Sequence, residues 1–391
     1  MLTLVLAVCL VLPAWSYFGY PAVIWVGYRI RGPRSLPERE PGPGEDWPIV
    51  SVLVVVFNEE AVIARRIANL LALDYPADRL EIVIASDGST DGTVAVARGV
   101  TDPRVTVLAF KENRGRAGTH NEAVPRCRGE IVVATDADTT FEPSFLKRSV
   151  APLLADPQLG AVIGGLRYRS AGTTVSESEG LYWRYDSALK RFESALGLMH
   201  NGCGPAEAIR KSLYRPLRPI DDIDATTILD VLLQGYRVRY QPAATAFDVP
   251  PASIRAELKA RIRQTSRSFV SGGRKWHPGH WPRHPMLTIS FVSHRLLRWT
   301  TPYFLVLALI VNALLVGRGA TFVVLFAAQA LLYALGIVGG LLELLGRPSR
   351  TLGLVFAFGV ANTGMLLGVA KGLIGRAPRA YQMPPDPETA P

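Results

Sequence analysis

Apolar residues are concentrated at the two ends of the chain, whereas the middle alternates short apolar runs with polar segments. Residues 2–28 carry no charge. At about 1.5 Å per residue, a helix of this length crosses a hydrocarbon core of about 30 Å. Four arginines follow directly, from Arg29 to Arg39, and basic residues beside a span indicate its cytoplasmic side. We therefore predict a retained N-terminal transmembrane helix over residues 1–30 rather than a cleaved signal peptide.

From residue 49 onward, short runs rich in β-branched residues alternate with segments whose apolar residues recur three and four positions apart. The strands predicted from this pattern cover residues 50–57, 80–86, 105–110 and 130–138. Such alternation is typical of an α/β domain with a mostly parallel sheet and helices on both faces. We assign residues 48–280 to this cytoplasmic domain. The Pro- and Gly-containing residues 31–47 are predicted to be a linker.

The composition turns apolar again near the C-terminal end. Residues 281–299 mix apolar and basic side chains, which is typical of an interfacial helix. Residues 300–372 are predicted to hold transmembrane helices, and residues 373–391 a disordered tail. The candidate spans in this region cover residues 300–317, 319–342 and 352–371. Four spans would leave the basic C-terminal residues outside the cytoplasm, so either one segment does not span or the large domain decides the orientation.

The chain has 43 basic and 33 acidic residues, a net charge of +10, which raises the question of a nucleic-acid partner. It contains no run of five basic residues and no zinc-finger or RNA-recognition pattern, so we expect no nucleic acid to bind. Contact with anionic membrane lipids explains the charge better. The three cysteines are widely spaced and predict neither a disulfide framework nor a cysteine metal site.

Acidic residues end or follow two of the predicted strands. Asp87 follows the strand over 80–86, where it can bind a sugar or base edge, or equally cap the next helix. Asp136 and Asp138 lie at the end of the predicted strand over 130–138, and residues two apart in an extended segment point the same way. Two such carboxylates can share a Mg²⁺ or Mn²⁺ ion that neutralises a diphosphate, although an exposed turn is the alternative.

A third acidic group, Asp221, Asp222 and Asp224, precedes apolar residues at helical spacing. A helix N-terminus stabilises negative charge through its dipole, which would explain these acids without any chemistry. A carboxylate in this position can also serve as a general base.

Several short motifs occur in a fixed order along the chain. They are FNEE (57–60), SDGSTDGT (86–93), NRGRAGTHNEA (113–123), DAD (136–138), the acidic group before QGYRV (234–238), and Gln264-x-x-Arg267. This ordered set resembles the membrane-embedded family 2 glycosyltransferases, which include cellulose, chitin, hyaluronan and poly-N-acetylglucosamine synthases. The resemblance covers nearly the whole chain, with one span before the motifs and several after them.

The resemblance implies a GT-A fold and an inverting, metal-dependent transfer from a nucleotide-sugar donor, with a UDP-sugar expected. It implies a glycan or lipid-linked acceptor and a role in exopolysaccharide or cell-envelope polysaccharide synthesis at a bacterial inner (plasma) membrane. The donor-binding residues that it implies are Phe57, Asn58, Glu59, Asp87, Arg116, Asp136, Gln264 and Arg267. Asp136 and Asp138 match its metal-binding pair, for Mg²⁺ or Mn²⁺. In the family the catalytic Asp precedes the Gly of the GYR element by about eleven residues, which selects Asp224, with Asp222 as the alternative.

On the acceptor side, the resemblance assigns Gly202 and Gly204 to a loop beside the acceptor. Ser268 stands where processive relatives have a Trp that stacks on the acceptor sugar. Polymer synthesis and single addition to a polyprenyl phosphate or lipid therefore both stay open. Three or four spans are few for an enclosed pore, so a pore would need a second copy of the chain or a secretion partner.

Two other classes of protein are weighed against an enzyme of this kind. A non-enzymatic membrane scaffold or transporter predicts charged residues inside the spans, and few are present. A dinucleotide-binding oxidoreductase would need G-x-G-x-x-G after the first strand, where the chain has FNEE instead.

Overall fold

The structure is a computed structural model that describes residues 1–32, 36–42, 45–168, 174–248, 253–347 and 349–377, without the side chains of 174–183. Most of the predicted tail and parts of the predicted linker lie outside the described residues.

In the described part of the chain, eight strands form one mixed sheet. They are β1 (Val50–Val56), β2 (Leu80–Asp87), β3 (Val105–Phe110), β4 (Ile131–Thr135), β5 (Thr140–Phe141), β6 (Leu159–Tyr168), β7 (Glu207–Arg210) and β8 (Arg237–Asp248). Their order across the sheet is β3-β2-β1-β4-β7-β6-β8-β5. β1 pairs in parallel with β2 and β4, as do β2 with β3 and β6 with β8, whereas β7 is antiparallel to both of its neighbours.

The helices fall into two sets, one that packs with the sheet and one that is strongly apolar. The first set, which accompanies the sheet, is α3 (Glu60–Leu71), α4 (Thr93–Arg98), α5 (Gly115–Ala123), α6 (Phe145–Ala155), α7 (Thr174–Leu196), α8 (Ile223–Leu233) and α9 (Ile254–Lys275). The second set is α1 (Leu2–Ala14), α2 (Tyr20–Arg31), α10 (Pro285–Phe291), α11 (Leu297–Leu315), α12 (Ala320–Leu344) and α13 (Arg350–Leu373). Two π-helical segments, Trp15–Gly19 and Val292–Leu296, join α1 to α2 and α10 to α11.

The four strands predicted from sequence are present, and their burial explains why they were recognisable. Every residue of β2 is buried, and β1 is buried at all but one position. Parallel strands covered on both sides show such continuous apolar runs. The fourth predicted strand ends at Thr135 rather than at residue 138, so Asp136 and Asp138 lie beyond the ladder that pairs β4 with β1.

Among the described residues, four helical segments are long and apolar enough to cross a membrane: Leu2–Arg31, Pro285–Arg318, Ala320–Leu344 and Arg350–Leu373. The second of these runs through the predicted boundary between an interfacial helix over 281–299 and spans from 300, and the interfacial position of 281–299 stays a prediction. The helix runs without a break through that boundary because the π-helical segment keeps the backbone helical between α10 and α11. The amphipathic stretch is therefore the first part of a longer apolar helix.

Helix α13 packs closely against α9, and glycines make the approach possible. A Cβ atom added to Gly368 would lie 2.7 Å from Thr265 Cβ, and one added to Gly364 would lie 2.7 Å from Arg261 Cγ. Real Cβ atoms do not approach other carbons so closely, so a larger residue would separate the helices. This contact fixes α9, which carries the predicted donor-binding residues Gln264 and Arg267, to an apolar helix.

We predict that Gly368→Leu lowers the free energy of unfolding by about 1–3 kcal/mol, because the added side chain overpacks the α9–α13 interface. The thermal midpoint of the purified protein in detergent would show the loss. Gly359→Leu on the same helix is the matched control, since an added Cβ meets no atom within 4 Å there. Equal midpoints for the two variants would contradict this account of the interface.

Candidate active site

The loops that follow β1 and β2 are tied together at the carboxyl edge of the sheet. Asn58 adopts a left-handed backbone conformation, with φ at 56°, which Asn tolerates better than most residues. Its side-chain oxygen accepts a hydrogen bond from the Thr90 backbone at 2.9 Å, and its own N–H donates to Ser89 Oγ at 3.1 Å. The Glu59 N–H donates to Thr93 Oγ1 at 2.8 Å. These bonds hold the segment Phe57 to Glu59 in a fixed position above the strand ends.

Carboxylates crowd this edge of the sheet. Burial raises the pKa of Glu59 to about 7, with further contributions from the negative charges of Asp138, Asp136 and Asp91. Burial and the neighbouring Asp136 also raise the pKa of Asp138. Like charges at close range disfavour ionisation, and a cation placed among them would relieve this cost. Asp136 and Asp138 are therefore suited to hold a divalent cation, and Glu59 is a third carboxylate within electrostatic reach.

Arg116, at the start of α5, forms an ion pair with Asp136. The buried Asp87 accepts a hydrogen bond from the Arg114 backbone N–H at 2.7 Å and thereby anchors the turn before Arg116. In this structure Asp87 thus positions the helix that carries Arg116. Its predicted contact with the donor's base or ribose stays a prediction, as does the contact of Arg116 with the donor.

The third acidic group lies at the N-terminus of α8, as predicted, and α9 binds most of it. Arg267 Nη2 donates to the Asp221 carbonyl oxygen at 2.6 Å. Arg274 pairs with the Asp221 carboxylate, and Ser268 Oγ forms a hydrogen bond with Asp222 Oδ2. Two of the three carboxylates are therefore engaged by one helix.

Asp224 is placed differently from its two neighbours. Within the described residues, no hydrogen bond to its carboxylate is found, and burial raises its pKa to about 7, with a further contribution from Asp222. The charge of Arg116 opposes this increase in pKa, and the charge of Asp136 adds to it, which shows that the acidic groups share one electrostatic environment. A carboxylate with a pKa near neutrality and an unengaged oxygen is suited to accept a proton.

The predicted acceptor-side loop packs directly on Asp224. A Cβ atom added to Gly204 would lie 2.7 Å from Asp224 Cγ, and one added to Gly202 would lie 2.9 Å from the carboxyl carbon of Glu207. Only glycine permits this approach of the backbone to the carboxylate. Both glycines therefore lie beside the candidate base, whereas their contact with an acceptor stays a prediction.

Two predicted residues are placed less centrally, and one residue of the site was missed. Gln264 is exposed on α9, and Ser268 faces Asp222, so the structure gives Ser268 a role in the acidic group.

Glu207 on β7 was not predicted. It is buried, accepts a hydrogen bond from the Cys203 N–H at 2.7 Å, and has a pKa held well above its usual value by burial and by Asp224. An acidic residue at the start of a short strand was the only signal for it.

Known proteins resemble the chain in this region. The family described as Glycosyl transferase family 2 matches residues 51–218. The chain is 26% identical over 220 residues to a poly-beta-1,6-N-acetyl-D-glucosamine synthase of Staphylococcus aureus, across 55% of this chain and 53% of that protein. It is 28% identical over 250 residues to an N-acetylglucosaminyltransferase of Mesorhizobium japonicum, across 59% and 58%. The chain thus matches little more than half the length of these curated relatives.

One solved structure resembles the fold of nearly the whole chain, including the apolar helices. A mannosyltransferase from Pyrobaculum calidifontis, solved in complex with GDP-Man and Mn²⁺, matches 95% of this chain and 99% of its own with a TM-score of 0.72. The sequence identity is 24%, so this likeness concerns the fold alone. It confirms the predicted GT-A fold, and the family match confirms the predicted glycosyltransferase class for the domain over 51–218.

The crowded carboxylates predict a pH-dependent response to divalent cations. Because the pKa of Glu59 is raised in the folded protein, its protonated form stabilises the fold at a pH below its ordinary pKa. This contribution to stability is lost as the pH rises through about 7. Mn²⁺ added to metal-free protein should therefore raise the thermal midpoint more at about pH 8 than at about pH 6. Asp136→Asn should remove most of this shift. Asp102→Asn, at a half-buried ion pair with Arg104 away from this group, should keep it, and an undiminished shift in Asp136→Asn would exclude the site.

Proposed function

We propose, given that the chain carries a family 2 glycosyltransferase domain, that it transfers a sugar with inversion from a nucleotide-sugar donor to a glycan or lipid-linked acceptor at a membrane. The observation that carries this proposal is the placement of Asp224. It is the one carboxylate of its group without a hydrogen-bond partner among the described residues, and it faces the glycine loop beside Asp136 and Arg116.

The chemistry assigns a separate task to each acidic group. Asp136 and Asp138 would hold a Mg²⁺ or Mn²⁺ ion, which when bound offsets the negative charge of the departing diphosphate. Asp224 takes the proton of the acceptor hydroxyl as that oxygen bonds to the anomeric carbon. The bond from this carbon to the diphosphate breaks at the same time, and its electron pair leaves with the nucleoside diphosphate. Attack from the face opposite the leaving group inverts the anomeric configuration.

Basic residues support this reaction from two helices. Arg116 on α5 lies within electrostatic reach of both Asp136 and Asp224, so it faces the region between the metal pair and the base. Arg267 on α9 is buried beside Asp222 and Asp224, and its guanidinium holds the start of α8 in place. A fixed guanidinium suits the diphosphate charge that develops in this region. We propose that Arg116 contacts the donor. Arg267 would contact the donor as well, and it also holds the base in position.

The names of the relatives suggest a donor class. The curated relatives are a poly-beta-1,6-N-acetyl-D-glucosamine synthase and an N-acetylglucosaminyltransferase, and each matches a little more than half of this chain. This supports a UDP-sugar, with an N-acetylglucosaminyl group as the first sugar to test. The matched mannosyltransferase was solved with GDP-Man, which makes that nucleotide sugar the natural competitor in the same assay.

An apolar cavity beside α9 favours a lipid-linked acceptor as the second candidate. The cavity measures about 370 Å³ and is bordered by Phe269, Trp276, Trp281, Phe291, Trp299 and Leu373. Phe269 directly follows Ser268, the position at which processive relatives have a Trp. An acceptor with an apolar tail would find a suitable surface next to the site, so single addition to a lipid stays in competition with polymer synthesis.

The apolar helices support a location at a membrane. Four segments have the length and composition of spans, and we propose that they hold the domain over 48–280 at the cytoplasmic face of the inner membrane, in contact with anionic lipids. Basic residues that directly follow the first span support this orientation.

We predict that Asp224→Asn lowers kcat by about 10²–10⁴-fold while the Kd of the nucleoside diphosphate stays within about twofold, because only the proton acceptor is lost. Initial rates and calorimetric titration measure the two quantities. Asp222→Asn is the comparison, since Asp222 is the alternative base and is already engaged by Ser268. If Asp222→Asn abolished transfer and Asp224→Asn did not, the base would be Asp222.

A donor panel tests the substrate class. Purified protein with Mn²⁺ should release UDP from UDP-N-acetylglucosamine faster than it releases GDP from GDP-mannose in the presence of membrane lipid extract. The length of the labelled product then separates a polymer from a single lipid-linked sugar. No release of nucleoside diphosphate from any donor would favour the membrane scaffold or transporter instead.

A further inference from the structure

A second group of potential metal ligands lies outside the candidate active site. Glu193 on α7, His200 in the segment after α7, and His294 in the π-helical segment Val292–Leu296 are all buried. One ligand atom from each lies within 4.8 Å of the others. We propose that these three residues bind a Zn²⁺ ion that joins the catalytic domain to the second apolar segment. Two imidazoles and one carboxylate are ligands that suit zinc, with water in the fourth position.

The hydrogen bonds of His200 orient one ring nitrogen for a metal. Its Nδ1 lies 3.0 Å from the Leu198 carbonyl oxygen and 3.0 Å from Ser290 Oγ. Its Nε2 is buried and has no hydrogen-bond partner among the described residues. Histidines that bind metals commonly donate the other ring N–H to a backbone carbonyl, which fixes the tautomer and leaves a lone pair for the ion. His200 has this arrangement.

His294 is held between two carboxylates. Its Nδ1 lies 2.7 Å from Glu193 Oε1, and its Nε2 lies 3.8 Å from Asp186 Oδ1. Asp186 is itself paired with Lys190 at 2.9 Å. At 3.8 Å, Asp186 is within ion-pair range of the ring but beyond a direct hydrogen bond, so it places negative charge behind the ring without fixing its orientation. Nδ1 of His294 therefore faces the proposed ion together with Glu193.

Glu193 supplies the observation that a simple hydrogen-bond network does not explain. Its Oε1 accepts a hydrogen bond from the Tyr20 hydroxyl at 2.8 Å, whereas its Oε2 is buried and has no partner among the described residues. A protonated His294 would neutralise Glu193, yet it would leave Glu193 Oε2 and His200 Nε2 unsatisfied. A buried polar atom without a partner is costly, and one cation would bind both atoms.

The position of this group suggests what the ion would do. Tyr20 belongs to the first apolar segment, Glu193 to the catalytic domain and His294 to the second apolar segment. Beside the group, Ser16 Oγ donates to the Ser293 carbonyl oxygen at 2.9 Å, and Trp15 Nε1 donates to Ser293 Oγ at 2.9 Å. Both π-helical segments thus meet here, and π-helical turns often mark functional sites. Zinc would join the catalytic domain to the second apolar segment, and the hydrogen bond from Tyr20 to Glu193 links the first apolar segment to the same point.

Metal analysis of purified full-length protein, with any affinity tag removed, tests the proposal. We expect one zinc ion per chain in the wild type and loss of the ion in His200→Gln and Glu193→Gln. His277→Gln, a substitution of an exposed histidine outside the group, is the matched control and should keep the zinc. Asp136→Asn should keep it as well, which separates this ion from a cation at the candidate active site.

Two further measurements cover the case in which a variant fails to fold. Wild-type protein that has been stripped of metal and loaded with Co²⁺ should show the visible absorption of a nitrogen- and oxygen-bound cobalt ion. A zinc chelator should lower the thermal midpoint of the wild type and leave that of folded His200→Gln unchanged. Wild-type protein that retains no zinc and shows no cobalt absorption would overturn the proposal, as would His200→Gln with undiminished zinc.

Discussion

The hydrogen bonds and the ion pair between α9 and the acidic N-terminus of α8 are the interaction on which the candidate active site depends. Arg267, Ser268 and Arg274 bind the backbone or carboxylate oxygens of Asp221 and Asp222. The opposite side of α9 rests on the glycines of α13, which is one of the apolar helices. The position of the candidate base is therefore set by a helix that is itself fixed to the proposed membrane region. The geometry of the candidate active site therefore depends on how the apolar helices pack.

A second constraint is the accumulation of negative charge where the strands end. Glu59, Asp138 and Asp224 all have pKa values raised by burial and by neighbouring carboxylates. Arg116 offsets part of this charge through its ion pair with Asp136, and the remaining excess favours a divalent cation or a partly protonated site. The same charge that would be costly in a structural core is useful here, because the proposed reaction requires both a cation site and a base with a pKa near neutrality.

The sequence predicted the parts of the fold that depend on local pattern. Strands β1 to β4 are continuous apolar runs, and the acidic motifs lie at their ends or at the start of α8, where they were expected. Strand β6 was not predicted, because Gly160, Gly164 and Gly165 interrupt its pattern and its pairing with β8 shifts register twice. The Glu193 group and Glu207 depend on contacts between distant segments, which no local pattern reveals. The helix that continues through residue 300 also depends on the π-helical segment, which the basic residues in its first half do not reveal.

Helix α9 also explains why the two acceptor types are hard to separate by sequence. One face of this helix holds Arg267 and Ser268 against the acidic group, and the next residue, Phe269, borders the apolar cavity. A Trp in place of Ser268 would remove the hydrogen bond to Asp222 and place an indole beside that carboxylate. If Ser268 occupies the position that the resemblance implies, the stacking Trp of processive relatives is absent, while an apolar surface lies one residue away. Under the proposed function, an acceptor with a polar head and an apolar tail would meet both surfaces of α9.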